Sequence, residues 1–565
     1  MRRIFRLRKR SLLVCSMLLY AACANAQQEF LCTQINQPAT AAFDFTDDLT
    51  RWGNTNMYNI DDAPHRVRSI TINTLPIFDE SNPAENRLLY RWANAIHYVT
   101  QPHIIAEQVL FTANMPVNSR LLAESERILR GRKYVGDAKI RVLQDCDNTV
   151  DLEVVTREVW TLSPDITYKA AGGHSTTGIG VSDSNILGSG QSLAFKVKKD
   201  QERNSALLAF KNPNIRGSRI EINAEYAKNS DGHHYYLQTG LPFYALENRR
   251  AWNFNYESTS EVLTQYQFGE QVSQLQHNTR NTDIQYGFST GRQGASIKRF
   301  SLGLRVEEHQ YQNIFALPAP TALGLNLDLR YPFTQFEAIE DSYVEGYNIG
   351  QIKRTEDLHI GHNLRVLVGF APGSDSSLIF KGQYTDTLLY RPKLLLQVAT
   401  NWDGRRDQHS GSWQDTVMHL ELNLHRGQTD KRSLFFGLSA NHSINLNNGR
   451  QVDLGGSSGL RGFDNHFLNG NTALKFTAEE RVFTDYHFLQ LVRLGFAVFY
   501  DAGRVFGNSN PLMQNIYQNI GVGLRLAPSR SESGQIVHLD LAYPINDKIP
   551  GGSGIQFIAE VKKSF

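Results

Sequence analysis

Residues 493–503 read RLGFAVFYDAG. Successive side chains of an extended strand point to opposite faces, so Leu494, Phe496, Val498 and Tyr500 share one side and Arg493, Gly495, Ala497, Phe499, Asp501 and Gly503 the other. The same period returns nearby. In 519–526, Ile520, Val522, Leu524 and Leu526 alternate with Asn519, Gly521, Gly523 and Arg525; in 537–543, Val537, Leu539, Leu541 and Tyr543 alternate with His538, Asp540 and Ala542. In 474–483, Leu474, Phe476, Ala478 and Val482 oppose Lys475, Thr477, Glu479 and Arg481. One such strand fits a soluble sandwich as well as a barrel. About twenty such windows from residue 164 onward, with small or charged residues opposite a broad apolar stripe, fit a transmembrane barrel. A sheet that spans hydrocarbon must close on itself to satisfy its backbone. The expectation for 163–565 is therefore an all-β transmembrane barrel of 16 antiparallel strands, with the surplus windows folded as loop hairpins.

Composition narrows the classes further. The 565 residues are 41% hydrophobic and 20% charged, with 43 Gly and 4 Cys, which excludes collagen, a disulfide-dense miniprotein and a disordered chain. Residues 1–10 carry Arg2, Arg3, Arg6, Arg8, Lys9 and Arg10, residues 11–24 are mostly apolar, and Ala24-Asn25-Ala26 follows. This tripartite pattern predicts an export signal over 1–26, with an apolar core too short to span a bilayer. Its removal takes away six basic residues and leaves 52 Lys and Arg against 56 Asp and Glu, so the electrostatic case for a nucleic-acid partner disappears.

Residues 27–64 lack a sustained period and read as a periplasmic linker or arm. Residues 65–162 read as a small α+β domain. A strand near 67–72 precedes a helix near 84–98 whose apolar positions are Leu88, Leu89, Trp92, Ile96 and Val99. Asn118 caps a second helix with Leu121, Leu122, Ser125, Ile128 and Leu129 on one face and Glu124, Arg127 and Arg130 pointing outward. Strands at 139–143 and 150–159 close the unit. Cys32 and Cys146 stand in an oxidising compartment; a disulfide and two separate thiols are both open readings.

The stretch LAESERILRGRKYVGDAKIRVL, followed by VDLEVVTREVW, resembles a POTRA domain, the periplasmic module of BamA/TamA-type assembly and transport proteins. Leu460-Arg461-Gly462-Phe463 resembles the [VLI]-R-G-[FY] signature of that superfamily's bacterial surface antigen type barrel, where a long extracellular loop folds back into the lumen. Phe499-x-Asp501-x-Gly503 and Glu479-Glu480-Arg481 resemble its companion strand motifs. Phe557, Val561 and the terminal Phe565 resemble the C-terminal signal of outer-membrane barrels. Parity puts Glu479, Phe499 and Asp501 on lumen faces, so Arg461 can meet both carboxylates, Gly462 can approach the wall, and Phe463 is expected on Phe499.

The resemblance implies a bacterial outer-membrane protein that inserts other barrels or translocates polypeptides. Its partners would be outer-membrane lipids, unfolded or exported protein clients and accessory periplasmic proteins. A two-partner secretion transporter with one dedicated substrate, or lipid or small-solute transport, is the alternative. No enzymatic activity is expected: Gly455-x-Ser457-x-Gly459 lacks the strand–turn–helix setting of a hydrolase nucleophile. No catalytic residue, cofactor or metal site is expected either, since the histidines lack companion ligands at suitable spacing.

Overall fold

The computed structural model describes residues 32–40, 43, 65–146, 148–171, 174–316, 326–346, 348–391, 393–447, 450–531, 535–545 and 554–562. The expected export signal, most of the expected arm and Phe565 lie outside these residues.

The N-terminal unit is a five-stranded mixed sheet in the order Cys32–Gln34, Val135–Cys146, Thr149–Glu158, His65–Leu75, Pro116–Val117. Thr149–Glu158 pairs antiparallel with Val135–Cys146 and parallel with His65–Leu75. The parallel pair needs a long crossover, and the helices Leu88–Ile96, Pro102–Ala106 and Ser119–Arg130 supply it. Asn118 caps the last of these, its side chain accepting from the Leu121 amide at 3.0 Å. Leu122, Ser125 and Leu129 are fully buried against Ile140, Leu152 and Val154 of the sheet. Cys32 faces Cys146 in register, and the two form a disulfide.

Periodicity misplaced two helix faces. Arg130, expected outward, is buried: its guanidinium grips Asp357 with two bonds of 2.6 and 2.8 Å and reaches Glu345 at 2.9 Å. Glu124 accepts from the Leu246 amide at 2.7 Å, and Arg127 lies 3.8 Å over the Tyr343 ring. Period 3.6 identifies the face that meets the domain's own core, but it cannot tell solvent from a polar docking surface on the next domain. On the helix Leu88–Ile96 the expected apolar face is the exposed one, and the helix instead buries Tyr90.

The remaining chain closes into one barrel of 20 antiparallel strands, from Leu162–Ala171 to Gln556–Lys562, rather than the expected 16. The windows expected as surplus loop hairpins belong to the wall as well. The six strands between Leu162 and Leu241 are eight to ten residues long, and all of them join the wall. Ile179, Val181, Phe195, Val197 and Leu208 form an exposed apolar stripe there, which a loop hairpin would have left in water. Among the described residues, two short hairpins, Tyr343–Gly346 with Glu356–His359 and Val452–Leu454 with Leu468–Gly470, stand apart from the wall. Their strands have four and three residues, far below the roughly nine that a tilted strand needs to cross a bilayer.

Alternation sorts the wall as parity requires. Phe496, Val498, Ile520, Val522, Leu541 and Tyr543 are exposed, whereas Asp501, Asn519, Arg525 and Asp540 on the opposite faces are fully buried. Phe557 and Val561 also face outward, while Ala559 between them is buried. Closure is uneven. Among the described residues, the first and last strands share a single backbone pair, Ala559 with Ala170, whereas the next junction pairs seven. No helix among them is long and apolar enough to cross a membrane.

The disulfide bridges a separation of 114 residues and holds the strand Cys32–Gln34 on the sheet edge. Cys32→Ser is expected to destabilise the N-terminal sheet by about 2–5 kcal/mol. Hydrogen exchange should then accelerate at 135–146 and stay unchanged in the barrel; unchanged exchange at 135–146 would contradict this role.

Candidate functional site

The segment between the wall strands Arg432–Ile444 and Thr472–Phe488 folds back into the barrel. Its own apolar residues make this possible: Leu454, Leu460, Phe463, Phe467 and Leu468 cluster with Val505, Met513 and Tyr517 of the wall side. Phe463 stacks on Phe467 at 5.0 Å and meets Tyr517 edge-on at 5.5 Å. It therefore does not pack on Phe499, as the sequence suggested. Phe499 instead lies beneath the Arg461 guanidinium, 3.3 Å from ring centroid to Cζ, so a cation rather than an apolar ring covers its face.

Arg461 is the centre of the site. Nε and Nη2 each donate to Asp501 at 2.8 Å, the two-pronged geometry that a planar guanidinium offers a carboxylate. Nη1 donates to Glu479 and to Asp540, both at 3.2 Å. The carboxylates are held in turn. Thr477 and Asn519 donate to Asp501 at 3.0 and 2.9 Å, Arg481 to Glu479 at 3.0 Å, and Arg525 to Asp540. Three guanidinium groups thus face three carboxylates in a buried patch, which leaves the cluster near neutrality. Burying so many charges favours position more than net stability, because desolvation offsets most of the attraction.

Two glycines set how closely the loop can seat. A Cβ on Gly462 would lie 2.6 Å from the Asn519 Cβ, and one on Gly503 would lie 2.5 Å from Leu454 Cδ2. Leu460 is fully buried between them. Sequence reasoning named Arg461, Glu479 and Asp501 but missed Asp540, Arg525 and Asn519. Their signal was present, since all three fall on the polar parity of strands already recognised; no short motif marked them.

The other hairpin enters from the N-terminal-domain side. Glu356 accepts from the Ile349 and Gly350 amides at 2.9 and 2.8 Å, and the Ile349 carbonyl accepts from Arg481 at 3.2 Å. Arg461, Glu479, Arg481, Ile349, Asp357 and Arg130 therefore mark a nearly continuous polar route from the loop tip to the N-terminal domain. A polar cavity of about 380 Å³ remains between the two inserts, bordered by Arg461, Lys475, Glu356 and His538. The described residues contain no cluster of metal-ligating side chains.

No family model matches the chain, and no curated protein does. Among solved structures, CdiB from Acinetobacter baumannii aligns over 99% of both chains at 12% identity and a TM-score of 0.37. BamA from Haemophilus ducreyi lacking POTRA domains 1–3 aligns over 88% of this chain and 84% of that one, at 12% identity and 0.35. The FrpB iron transporter from Neisseria meningitidis aligns over 74% and 85%, at 9% identity and 0.38. Scores under 0.5 at such identities transfer neither family nor activity to this chain.

Arg461→Ala leaves three carboxylates against two guanidinium groups and should loosen the tip by about 3–5 kcal/mol. Cleavage by subtilisin within 445–471 should then appear while the barrel keeps its compact form in detergent electrophoresis. Arg461→Lys, which keeps the charge and loses the fork, should fall between. Wild-type protease resistance in Arg461→Ala would contradict the pinning.

The junction with the N-terminal domain should respond to pH. Burial pushes the carboxyls of Glu126 and Asp137 up, while Asp357 holds Arg130 charged against its own burial. A carboxyl raised by folding stabilises the fold below its unfolded value, and that stability is lost as pH rises through the raised value. Protection factors at 343–359, which remove the intrinsic pH dependence of exchange, should therefore fall from acid to neutral pH, and less so in Asp137→Asn. Protection factors that rise over this range would reverse the assignment.

Proposed function

We propose that this chain resides in a bacterial outer membrane, with its N-terminal domain in the periplasm as a POTRA module, and assists barrel insertion or polypeptide passage. The observation that carries this reading is the combination of a seam with one backbone pair among the described residues and a lumen that inserts enter from both ends. Along its described residues, a strand that pairs at one position leaves most donors and acceptors on that side available to another extended chain, whereas the seven-pair junction beside it does not. The outward apolar stripes match a hydrocarbon surrounding, and the closed sheet satisfies its own backbone there.

The steps follow from edges and plugs. Among the described residues, the outer side of His65–Leu75 is paired at His65 and Arg66 and bonded through Val67 to Asn114 and Met115, and the stretch beyond Val67 leaves an edge on which an extended client can add a strand. The client then reaches the seam and pairs with Leu162–Ala171 or Gln556–Lys562. The pinned tip holds the wall strands on one side of the seam, from Thr472–Phe488 to Ile536–Pro544, while the seam exchanges partners, and the inserts in the lumen limit leakage. None of these steps requires a nucleophile, a metal or a cofactor.

A second reading, export of one dedicated protein through the lumen, is favoured by the polar cavity between the inserts. The two differ at the seam. Ala170→Cys with Ala559→Cys joins the single paired position, and oxidation should abolish barrel insertion while reduction restores it. Continued export of one secreted protein with the seam locked would favour the lumen route. Depletion provides the broad control: loss of many outer-membrane barrels supports insertion, and no change in either proteome would turn the reading toward lipid or solute traffic.

A further inference from the structure

The apolar face of the helix Leu88–Ile96 has no partner among the described residues. Leu88, Leu89 and Trp92 are 77, 60 and 60% exposed, and Tyr98 and Val99 beyond the helix are 63 and 52% exposed. This is no slack packing. The opposite side is anchored firmly: the Asn94 side chain bridges the Phe78 amide and carbonyl at 3.1 and 2.9 Å, and Tyr90 stacks on Phe78 at 4.5 Å. The helix is held with its apolar face outward.

Its position gives that face a meaning. The Tyr90 hydroxyl donates to the Leu489 carbonyl, in the turn between Thr472–Phe488 and Val492–Phe506. The Gln101 amide donates to the Gly188 carbonyl at 3.0 Å, and its side chain to the Leu187 carbonyl at 3.2 Å, in the turn between His174–Asp183 and Ser192–Lys199. Around the barrel, the stretch between those two turns contains both the last strand and the first. Residues 88–99 therefore run along the rim under the seam. The rim is itself apolar on the outside: Leu162, Leu187, Phe488 and Leu489 are all exposed. The helix face and the outside of this rim are thus both apolar and both uncovered among the described residues.

The side chains suit the zone where a bilayer turns from hydrocarbon to headgroup. Trp92 and Tyr98 each present an apolar ring with one polar atom, a pairing favoured at that depth. Arg87 and Arg91 are exposed beside the apolar face and are long enough to keep their stems among apolar groups and their charges among phosphates. A helix with one strongly apolar face and cationic flanks lies in the plane of the interface.

We infer that residues 88–99 form an in-plane anchor that embeds Leu88, Leu89, Trp92, Ile96 and Val99 in the periplasmic-leaflet phospholipid directly beneath the seam. The inference rests on the membrane reading of the barrel. It makes the N-terminal domain a lipid-bound element with a fixed height, whose client-accepting edge is held close to the strands that open.

Spin labels on the full exported chain test this. Labels are placed singly at Leu89→Cys, at Leu304→Cys on the outer wall and at Arg120→Cys on an exposed helix position, in vesicles of phosphatidylethanolamine and phosphatidylglycerol. The label at Leu89 should resemble that at Leu304, with oxygen accessibility several-fold above that of a nickel chelate, and differ from the nickel-accessible label at Arg120. A nickel-accessible label at Leu89 with a lipid-type label at Leu304 overturns the anchor and leaves the membrane barrel standing. Nickel access at both overturns the membrane reading as well. A label at Leu89 shielded from both relaxers, or shielded only after an unfolded apolar peptide is added, assigns the face to a polypeptide and likewise overturns the anchor.

Discussion

The arrangement of this molecule turns on the fork between Arg461 and Asp501, two bonds of 2.8 Å between groups that are almost wholly buried. A guanidinium cannot shed its charge, so once it lies inside the barrel it needs carboxylates at fixed positions. Asp501, Glu479 and Asp540 come from three separate wall strands, and each is held by a further donor. The loop tip is thereby tied to the curvature of the wall. Its apolar cluster around Phe463 and Tyr517 supplies the adhesion that the balanced charges do not.

A second set of polar contacts joins the lumen to the N-terminal domain. Glu124, Arg127 and Arg130 lie on one face of a single helix and meet a barrel turn at Leu246 and the hairpin at Tyr343 and Asp357. That hairpin in turn touches Arg481, the neighbour of Glu479. The domain is thus braced by charge and hydrogen bonds, which resist tilting yet exchange more readily than a buried apolar interface.

Much of this was legible in the residues, and the gaps have physical causes. Period-2 alternation located the wall and the lumen faces, because each strand is sorted by one simple rule, while Arg461 with Glu479 and Asp501 came from the resemblance of their motifs to a known superfamily, with which parity agreed. Strand number did not follow, because alternation in 174–241 cannot distinguish a wall hairpin from a loop hairpin without the pairing partner. Phe463 went to Phe467 and Tyr517 because ring packing depends on loop shape, which period carries no trace of. The outward faces of two helices were misread for the same reason: a pattern states what a face is made of and leaves open what it meets. Leu88, Leu89 and Trp92 have the composition of a core face and the location of a rim.

One sheet of 20 strands closes around an arginine-tipped loop, and among the described residues its weakest junction lies between the first and last strands. Electron cryomicroscopy of the protein in phospholipid nanodiscs tests it most directly. The account predicts that number of strands in the density, the Arg461 guanidinium within bonding distance of Asp501, and the poorest strand contact at Ala170 and Ala559. A wall with four fewer strands, or a loop tip standing outside the lumen, would contradict it.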